Sequence, residues 1–127
     1  GLDAGWVHNH WPMMSEGKFI HESVFIERDS LFANLTEGKS GVQFVHRTLA
    51  YVVVIFILLI YFKGKKYVET NYQRRALNAL LYLVFFQFIL GVFTLILQVP
   101  VWLGVAHQVG AFLLLSAMTF TLHRFSK

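Results

Sequence analysis

Three long apolar stretches, separated by short polar segments, occupy the chain from residue 42 onwards. They cover residues 42–62, 76–97 and 102–122, and each matches the roughly 20 residues needed to cross the hydrocarbon core of a bilayer. Because lipid offers no hydrogen bonds to the backbone, each stretch is predicted to be a transmembrane helix. The sequence therefore predicts an all-α, integral membrane helical bundle with three complete spans.

Basic side chains are concentrated in the connection between the first two spans, at Lys63, Lys65, Lys66, Arg74 and Arg75. In contrast, residues 1–40 contain more acidic than basic side chains. Since positive loops stay on the inner side of a membrane, we expect this connection and the C-terminus to lie inside, and residues 1–40 outside.

Composition supports the same class and excludes others. Hydrophobic residues make up 56% of the chain and charged residues only 14%, which is unlike a soluble domain. The net charge of +4 is explained by the basic connection, so the expected partner is membrane lipid and not nucleic acid. The absence of cysteine excludes disulfides, thiolate metal sites and a cysteine nucleophile within this chain.

The outer segment, residues 1–40, carries weaker signals. Apolar residues are interspersed with charged ones over residues 19–35, which predicts one or two short amphipathic helices at the interface, with an irregular loop as the alternative. Asn34-Leu35-Thr36 matches a glycosylation acceptor, although so short a triplet also arises by chance. A group of imidazoles and thioethers suggests a copper site, but loop packing is the favoured reading of His8, His10, Met13 and Met14.

Two histidines are the strongest candidates for chemistry. His46 and His107 each lie about one turn inside the start of a span, and the first and third spans run in the same direction. The two imidazoles are therefore expected at nearly the same depth. Two such residues can bind one metal centre from opposite sides, which makes a haem site the leading hypothesis. The alternative is that each imidazole reaches the headgroups or bonds a neighbouring helix.

The neighbours of these histidines fit a flat cofactor. Ala50 and Ala111 each follow a histidine by four residues, so a small side chain lies one turn deeper on the same helix face. Arg47 and Gln108 directly follow the histidines and can reach the outer interface, where an arginine would suit a propionate carboxylate.

An apolar wall is predicted below the histidines, formed by Val53, Val54, Ile57, Leu114, Leu115 and Met118. A six-coordinate iron in such a pocket has no open position, which favours electron transfer over oxygen activation. The small and polar stripe of the second span, at Gln87, Gly91, Thr94 and Gln98, is interpreted as helix packing.

Taken together, the motifs resemble the haem A synthases. In chain order they are Gly1-Leu2-Asp3-Ala4-Gly5, Asn9-His10-Trp11-Pro12-Met13-Met14, Gln43-Phe44-Val45-His46-Arg47 and Ala106-His107-Gln108. The similarity covers essentially the whole chain and places it as the C-terminal half of a family member. It implies one half of an eight-helix, two-repeat protein of the bacterial cytoplasmic or mitochondrial inner membrane, so the chain is expected to be truncated. Gly1–Gly5 would then be the outer end of a fourth helix.

The resemblance also implies an activity. Family members oxidise a methyl group of haem O to the formyl group of haem A, which terminal oxidases use. His46 and His107 match the pair that holds a haem b, while the substrate haem and a catalytic glutamate belong to the N-terminal half, so no catalytic residue is expected here. The implied partners are that N-terminal half, an external electron donor and haem O synthase. Some members carry a cysteine pair in the outer loop, which this sequence lacks.

Three other interpretations stay open at this point. The chain could be a generic bis-histidine cytochrome b subunit that carries electrons, or a non-haem structural membrane subunit. It could also be a half-length enzyme that acts as a homodimer.

Overall fold

The computed structural model describes residues 3–126, whose regular structure is helical apart from one antiparallel bridge between Ser15 and Lys18. The α-helices are α1 (Leu31–Glu37), α2 (Lys39–Gly64), α3 (Asn71–Ile96) and α4 (Val101–Phe125), and three short 3-10 turns lie at Ala4–Trp6, Glu22–Phe25 and Lys65–Tyr67. Helices α2, α3 and α4 are long and apolar enough to cross a membrane. This confirms the predicted membrane helical bundle, and the protein is an integral membrane protein.

Polar residues and a tight turn set the ends of the spans. At the start of α3, the Thr70 hydroxyl accepts from the Gln73 backbone N–H at 3.2 Å, and the Gln73 side chain accepts from the Thr70 N–H at 3.0 Å. Between α3 and α4, Gln98 and Val99 adopt left-handed φ values of 60° and 54°, which are uncommon outside glycine. The chain reverses there and also over residues 65–70, so α3 is antiparallel to both neighbours and α2 and α4 run in the same direction.

The apolar core of the bundle lies between the two histidines and the end of the bundle that contains residues 65–70. Ile57 of α2 packs with Leu80 and Val84 of α3, and side chains of α4 complete the cluster, namely Leu114, Ala117 and Met118. Many other large apolar side chains of the spans are exposed, as expected for surfaces that face lipid. We call the end of the bundle with residues 3–38 the loop end, and the end with residues 65–70 the basic end.

The segment at the loop end is organised by Asn34. Its side chain is 2% exposed, its amide nitrogen donates to the backbone oxygens of Phe25, Arg28 and Ser30, and its oxygen accepts from the Arg28 N–H. A Cβ at Gly41 would come within 1.9 Å of the Asn34 backbone oxygen, so glycine allows α1 to pack directly on α2. Asn34, the first residue of the acceptor triplet seen in the sequence, is therefore buried and holds the loop segment together.

Residues 3–38 contain only short helical elements. The 3-10 turn Glu22–Phe25 and helix α1 occupy the region in which short helices were expected. Of the predicted end of a fourth helix, Gly1 and Leu2 lie outside the described residues, and Ala4–Trp6 form a single 3-10 turn.

Candidate functional site

The two predicted ligand residues meet between α2 and α4 near the loop end. The ring centres of His46 and His107 are 6.2 Å apart and their planes are inclined by 70°. Two imidazoles that bind one metal from opposite sides, with metal–nitrogen bonds of about 2.0 Å each, have ring centres about 6 Å apart. The spacing between the rings therefore matches a shared metal centre.

A cavity of about 610 Å³ adjoins the two imidazoles. This volume falls within the roughly 300–1,000 Å³ typical of cofactor pockets. Five of the six predicted site residues line the cavity: His46, Arg47, Ala50, His107 and Ala111. All six residues of the predicted apolar wall also line it. Gln108, the remaining predicted site residue, is exposed and is not part of the lining.

Gln87 of α3 is a site residue that sequence reasoning assigned to helix packing. Its amide nitrogen donates to the backbone oxygen of His107 at 2.8 Å and lies 3.1 Å from Nδ1 of the same residue. The imidazole is thus held through Nδ1. Its other ring nitrogen, Nε2, is the one left for a metal.

Two glycines make room for this contact. A Cβ at Gly91 of α3 would come within 2.8 Å of Cε1 of His107, and a Cβ at Gly110 of α4 would come within 2.1 Å of Oε1 of Gln87. Each helix therefore presents a glycine where the other presents a functional side chain. Of the polar stripe of the second span, Gln87 and Gly91 pack against α4 and Thr94 is buried, as predicted, whereas Gln98 is exposed in the turn after α3. The surface against which Gln87 and Gly91 pack includes a candidate ligand.

The loop that contains Asn9, Trp11 and Met13 lies against the cavity at the loop end. Arg47 donates from Nη2 to the His8 backbone oxygen at 2.7 Å and from Nη1 to the Met13 oxygen at 3.2 Å. The Asn9 amide donates to the backbone oxygens of Gly5 and Leu95 at 2.8 Å each. Trp11 lines the cavity and meets Phe88 edge to face. The loop is therefore anchored on both α2 and α3.

Unpaired polar atoms are concentrated in the cavity wall. Among residues 3–126, four buried side-chain atoms have no hydrogen-bond partner: Gln43 Oε1, Arg47 Nε, Gln87 Oε1 and Arg124 Nε. The first three belong to residues that line the cavity. Because buried polar groups in folded proteins are almost always paired, this concentration indicates a place for a polar ligand or water. Gln43 was not predicted, although it lies one turn before Arg47 on the same helix face.

A second polar cluster lies above the cavity, around His8. Nε2 of His8 is 3.0 Å from the Ser40 hydroxyl, which also bonds the Glu27 carboxylate, and its ring lies 4.9 Å from that of His21. Burial, followed by the nearby His21 and Arg47, lowers the pKa of His8. Burial raises the pKa of Glu27, but the hydrogen bonds that it accepts from Ser40 and the backbone outweigh this, so the net pKa is lowered.

The four residues of the suggested copper site have different surroundings. His8 is committed to the serine network and Met14 is buried, whereas His10 and Met13 are exposed. Among the residues that the structure describes, no group of three or more histidine or acidic side chains is arranged to hold a metal ion. His123 is exposed near the basic end, at the last turn of α4.

Comparison with known proteins adds the family. The family model described as "Cytochrome oxidase assembly protein" matches residues 1–119. The chain is 65% identical over its full length to a protein named "Heme A synthase" from Flavobacterium johnsoniae and 60% identical to one from Flavobacterium psychrophilum, of which it covers 37% and 38%. It is also 38% identical to "Heme A synthase COX15" from Saccharomyces cerevisiae, over 92% of this chain and 26% of that protein. No solved structure matches the chain.

The chain thus spans little more than a third of the length of the two bacterial relatives. Its family match extends over nearly all of its residues and includes both histidines, the loop with Asn9 and Trp11, and the glycine contacts between α3 and α4. These matches confirm the resemblance to the haem A synthases, and the chain belongs to the cytochrome oxidase assembly protein family.

Proposed function

We propose that this chain is the C-terminal, haem b-binding part of a haem A synthase, in which His46 and His107 are the two axial ligands of the iron. The whole protein would oxidise the methyl group of haem O to the formyl group of haem A. This part would serve electron transfer and contribute no catalytic residue. The observation that carries the proposal is the pair of imidazoles with ring centres 6.2 Å apart beside a cavity of about 610 Å³.

The residues around the cavity fit a haem in three respects. Its walls are mainly apolar, which suits a porphyrin face. The small side chains of Ala50 and Ala111 line it next to the imidazoles and leave room for a flat ring. Gly91 lies against His107, and a larger residue at this position would displace the imidazole. The Nε–H of Arg47 is buried and unpaired, so the guanidinium has a donor left for a propionate.

Haem b bound between two imidazoles would supply a one-electron iron couple. The chain would then bind the haem and set the reduction potential of its iron. His46 and His107 would both bind the iron, which would leave no open site for oxygen. The apolar wall lowers the dielectric around the ring, and the loop anchored by Arg47 and Asn9 limits the access of water.

The orientation of the chain completes the proposal. The basic end would face the inside of the bacterial cytoplasmic or mitochondrial inner membrane, and the loop end would face outside, as the positive-inside rule requires. The haem-binding site would then lie near the outer surface, where an external electron donor can approach. The N-terminal part of the same protein would hold the substrate, and haem O synthase would supply it.

The test is a set of reduced-minus-oxidised absorption spectra of the purified full-length protein and of His46→Ala and His107→Ala variants. Each variant is expected to lose the same low-spin component, because removing either imidazole opens an axial position. His123→Ala is the matched control, since His123 is an exposed histidine near the opposite end of the bundle. A low-spin component that survives in both site variants, or a high-spin iron in the intact site, would contradict the proposal.

A further inference from the structure

We propose that Gln87 is a positioning residue for His107, and that its side-chain amide sets how strongly this imidazole stabilises ferric relative to ferrous iron. The inference rests on the proposed haem site and deepens it, because it assigns a role to a residue of α3 that does not itself touch the metal. The starting observation is the two-point contact between Gln87 and His107.

The contact fixes both the backbone and the ring of one residue. The Gln87 amide nitrogen lies 2.8 Å from the backbone oxygen of His107 and 3.1 Å from Nδ1. Since the two distances involve the same atom, the imidazole cannot rotate about its Cβ bond without losing one of them. Gln87 therefore restricts the orientation of the ring relative to the axis of α4.

The local packing leaves Gln87 little freedom of its own. A Cβ at Gly110 would come within 2.1 Å of its Oε1, so the glutamine side chain fills the space that this glycine leaves on α4. One turn further along α3, Gly91 leaves the corresponding space for His107, whose Cε1 would lie 2.8 Å from a Cβ there. The two helices are interlocked at this level, with a functional side chain of each fitted over a glycine of the other.

The hydrogen-bonding capacity of Gln87 also matches what an iron-bound histidine needs. When Nε2 binds a metal, the ring proton is on Nδ1, and that N–H needs an acceptor. Gln87 carries such an acceptor, because its Oε1 is buried and has no partner. Rotation of the terminal amide would turn Oε1 towards Nδ1 in exchange for the hydrogen bond that the amide nitrogen donates to the backbone oxygen of His107, and the side chain would shift to keep the two oxygens apart. The backbone oxygen of His107 keeps its helical hydrogen bond from Ala111 after this exchange.

An acceptor at Nδ1 makes the imidazole a stronger electron donor, as second-shell partners of metal-bound histidines generally do. A stronger donor stabilises ferric iron more than ferrous iron, so the reduction potential falls. Removing the acceptor should therefore raise the potential. A tenfold change in the ratio of ferric to ferrous affinity corresponds to about 59 mV in a one-electron couple.

The experiment uses the haem-loaded full-length protein and measures the midpoint potential of the low-spin component that His107→Ala removes. In Gln87→Leu we expect that potential to rise by an amount equivalent to roughly tenfold in the affinity ratio, together with roughly tenfold weaker haem retention. Thr119→Val is the control, because it also replaces a polar side chain of a span by an apolar one, whereas Thr119 is exposed on α4 and does not line the cavity. Its potential should equal that of the wild type.

A second variant separates positioning from simple packing. Gln87→Glu keeps the length of the side chain and supplies a stronger acceptor, so the low-spin spectrum should persist with a potential below that of the wild type. If Gln87→Leu does not accumulate, this variant alone decides, and a potential equal to or above that of the wild type overturns the inference.

The outcomes also distinguish this inference from the proposed function. If the wild-type protein has no low-spin component that depends on His46 and His107, the haem site itself is refuted. If that component is present and its potential is the same in Gln87→Leu as in the wild type, only the role of Gln87 is refuted.

Discussion

Gly91 of α3 lies directly against the imidazole of His107 in α4, so that a Cβ added at residue 91 would come within 2.8 Å of Cε1. This is closer than a real Cβ tolerates, and the atom that it would meet belongs to a ring that Gln87 already holds. Two residues of α3 thus determine the position of His107: Gln87 through its hydrogen bonds, and Gly91 because it has no side chain.

Gly91→Ala should therefore weaken haem binding. The added methyl group must displace the His107 ring, and overpacking of this kind costs about 1–3 kcal/mol. Since about 1.4 kcal/mol corresponds to a tenfold change in affinity, we expect haem retention to fall by roughly tenfold or more. The measurement is the ratio of low-spin haem to protein after purification of the full-length variant.

Gly104→Ala is the control for this substitution. A Cβ at residue 104 would make an ordinary contact, 3.9 Å from Val99, and alanine is favoured over glycine in a helix by about 1 kcal/mol. The control should keep its haem and be at least as stable as the wild type. Equal haem loss in both variants would show that the ring contact at Gly91 is not the cause.

The features that could be predicted from the sequence are those that each depend on a single segment of the chain, such as the bounds of a span or the depth of a residue within it. The spans follow from the lengths of the apolar runs, and the observed helices extend them only to nearby polar residues such as Lys39 and Asn71. Three sequential crossings make the first and third helices parallel, and the two histidines lie at equal depths on them. The proximity of His46 and His107 could therefore be predicted.

The contacts between α3 and its neighbours were not predictable in the same way. Whether Gln87 faces His107 depends on the rotation of α3 relative to α4, which the turn at Gln98 and Val99 sets. Neither residue is a glycine, so the sequence carries no signal for the left-handed conformation. The anchoring of the loop on Arg47 likewise joins residues 34 and 39 positions apart, beyond the reach of any local pattern.

The proposed orientation can be tested with single cysteines, because the chain contains none of its own. Glu16→Cys at the loop end and Lys66→Cys at the basic end are both at exposed positions. In intact cells that carry a full-length protein without other cysteines, a membrane-impermeant maleimide should label residue 16 but not residue 66. Labelling of residue 66 before permeabilisation would reverse the orientation expected from the positive-inside rule.

Asn9→Ala should loosen the loop that lies against the cavity. The substitution removes two hydrogen bonds, to the backbone oxygens of Gly5 and Leu95, and leaves both acceptors without this donor. A loss of about 1–3 kcal/mol in local stability is expected for buried partners of this kind. Faster amide exchange in residues 4–14, with α3 and α4 unchanged, is the expected readout.

Asn71→Ala serves as the control, since Asn71 is exposed at the start of α3. Exchange rates in residues 4–14 should not respond to it. If Asn9→Ala also leaves them unchanged, the two hydrogen bonds do not hold the loop.

The stability of the loop end should decrease with acidification, because His8 is buried in its neutral form. Its pKa is lowered from an ordinary value of 6.5 by burial first and then by the charges of His21 and Arg47, and the carboxylate of Glu27 only partly offsets this. The unfolded chain therefore binds the proton more readily than the folded chain. The contribution of His8 is complete above about pH 6.5 and is lost as the pH falls below it, by at most about 1.4 kcal/mol per pH unit.

Glu27 has a separate window at lower pH. Its pKa is also lowered, from an ordinary value of 4.5, so its contribution is lost only as the pH falls below that value. Between pH 6.5 and pH 5 the effect of His8 is thus separated from that of Glu27. Thermal unfolding of the full-length protein over this range should show a melting temperature that falls with pH in the wild type and in His10→Gln, whose imidazole is exposed, and a shallower dependence in His8→Gln. The same slope in all three proteins would mean that His8 is not the group that titrates, since His8→Gln removes the imidazole while keeping a side chain able to hydrogen bond to Ser40.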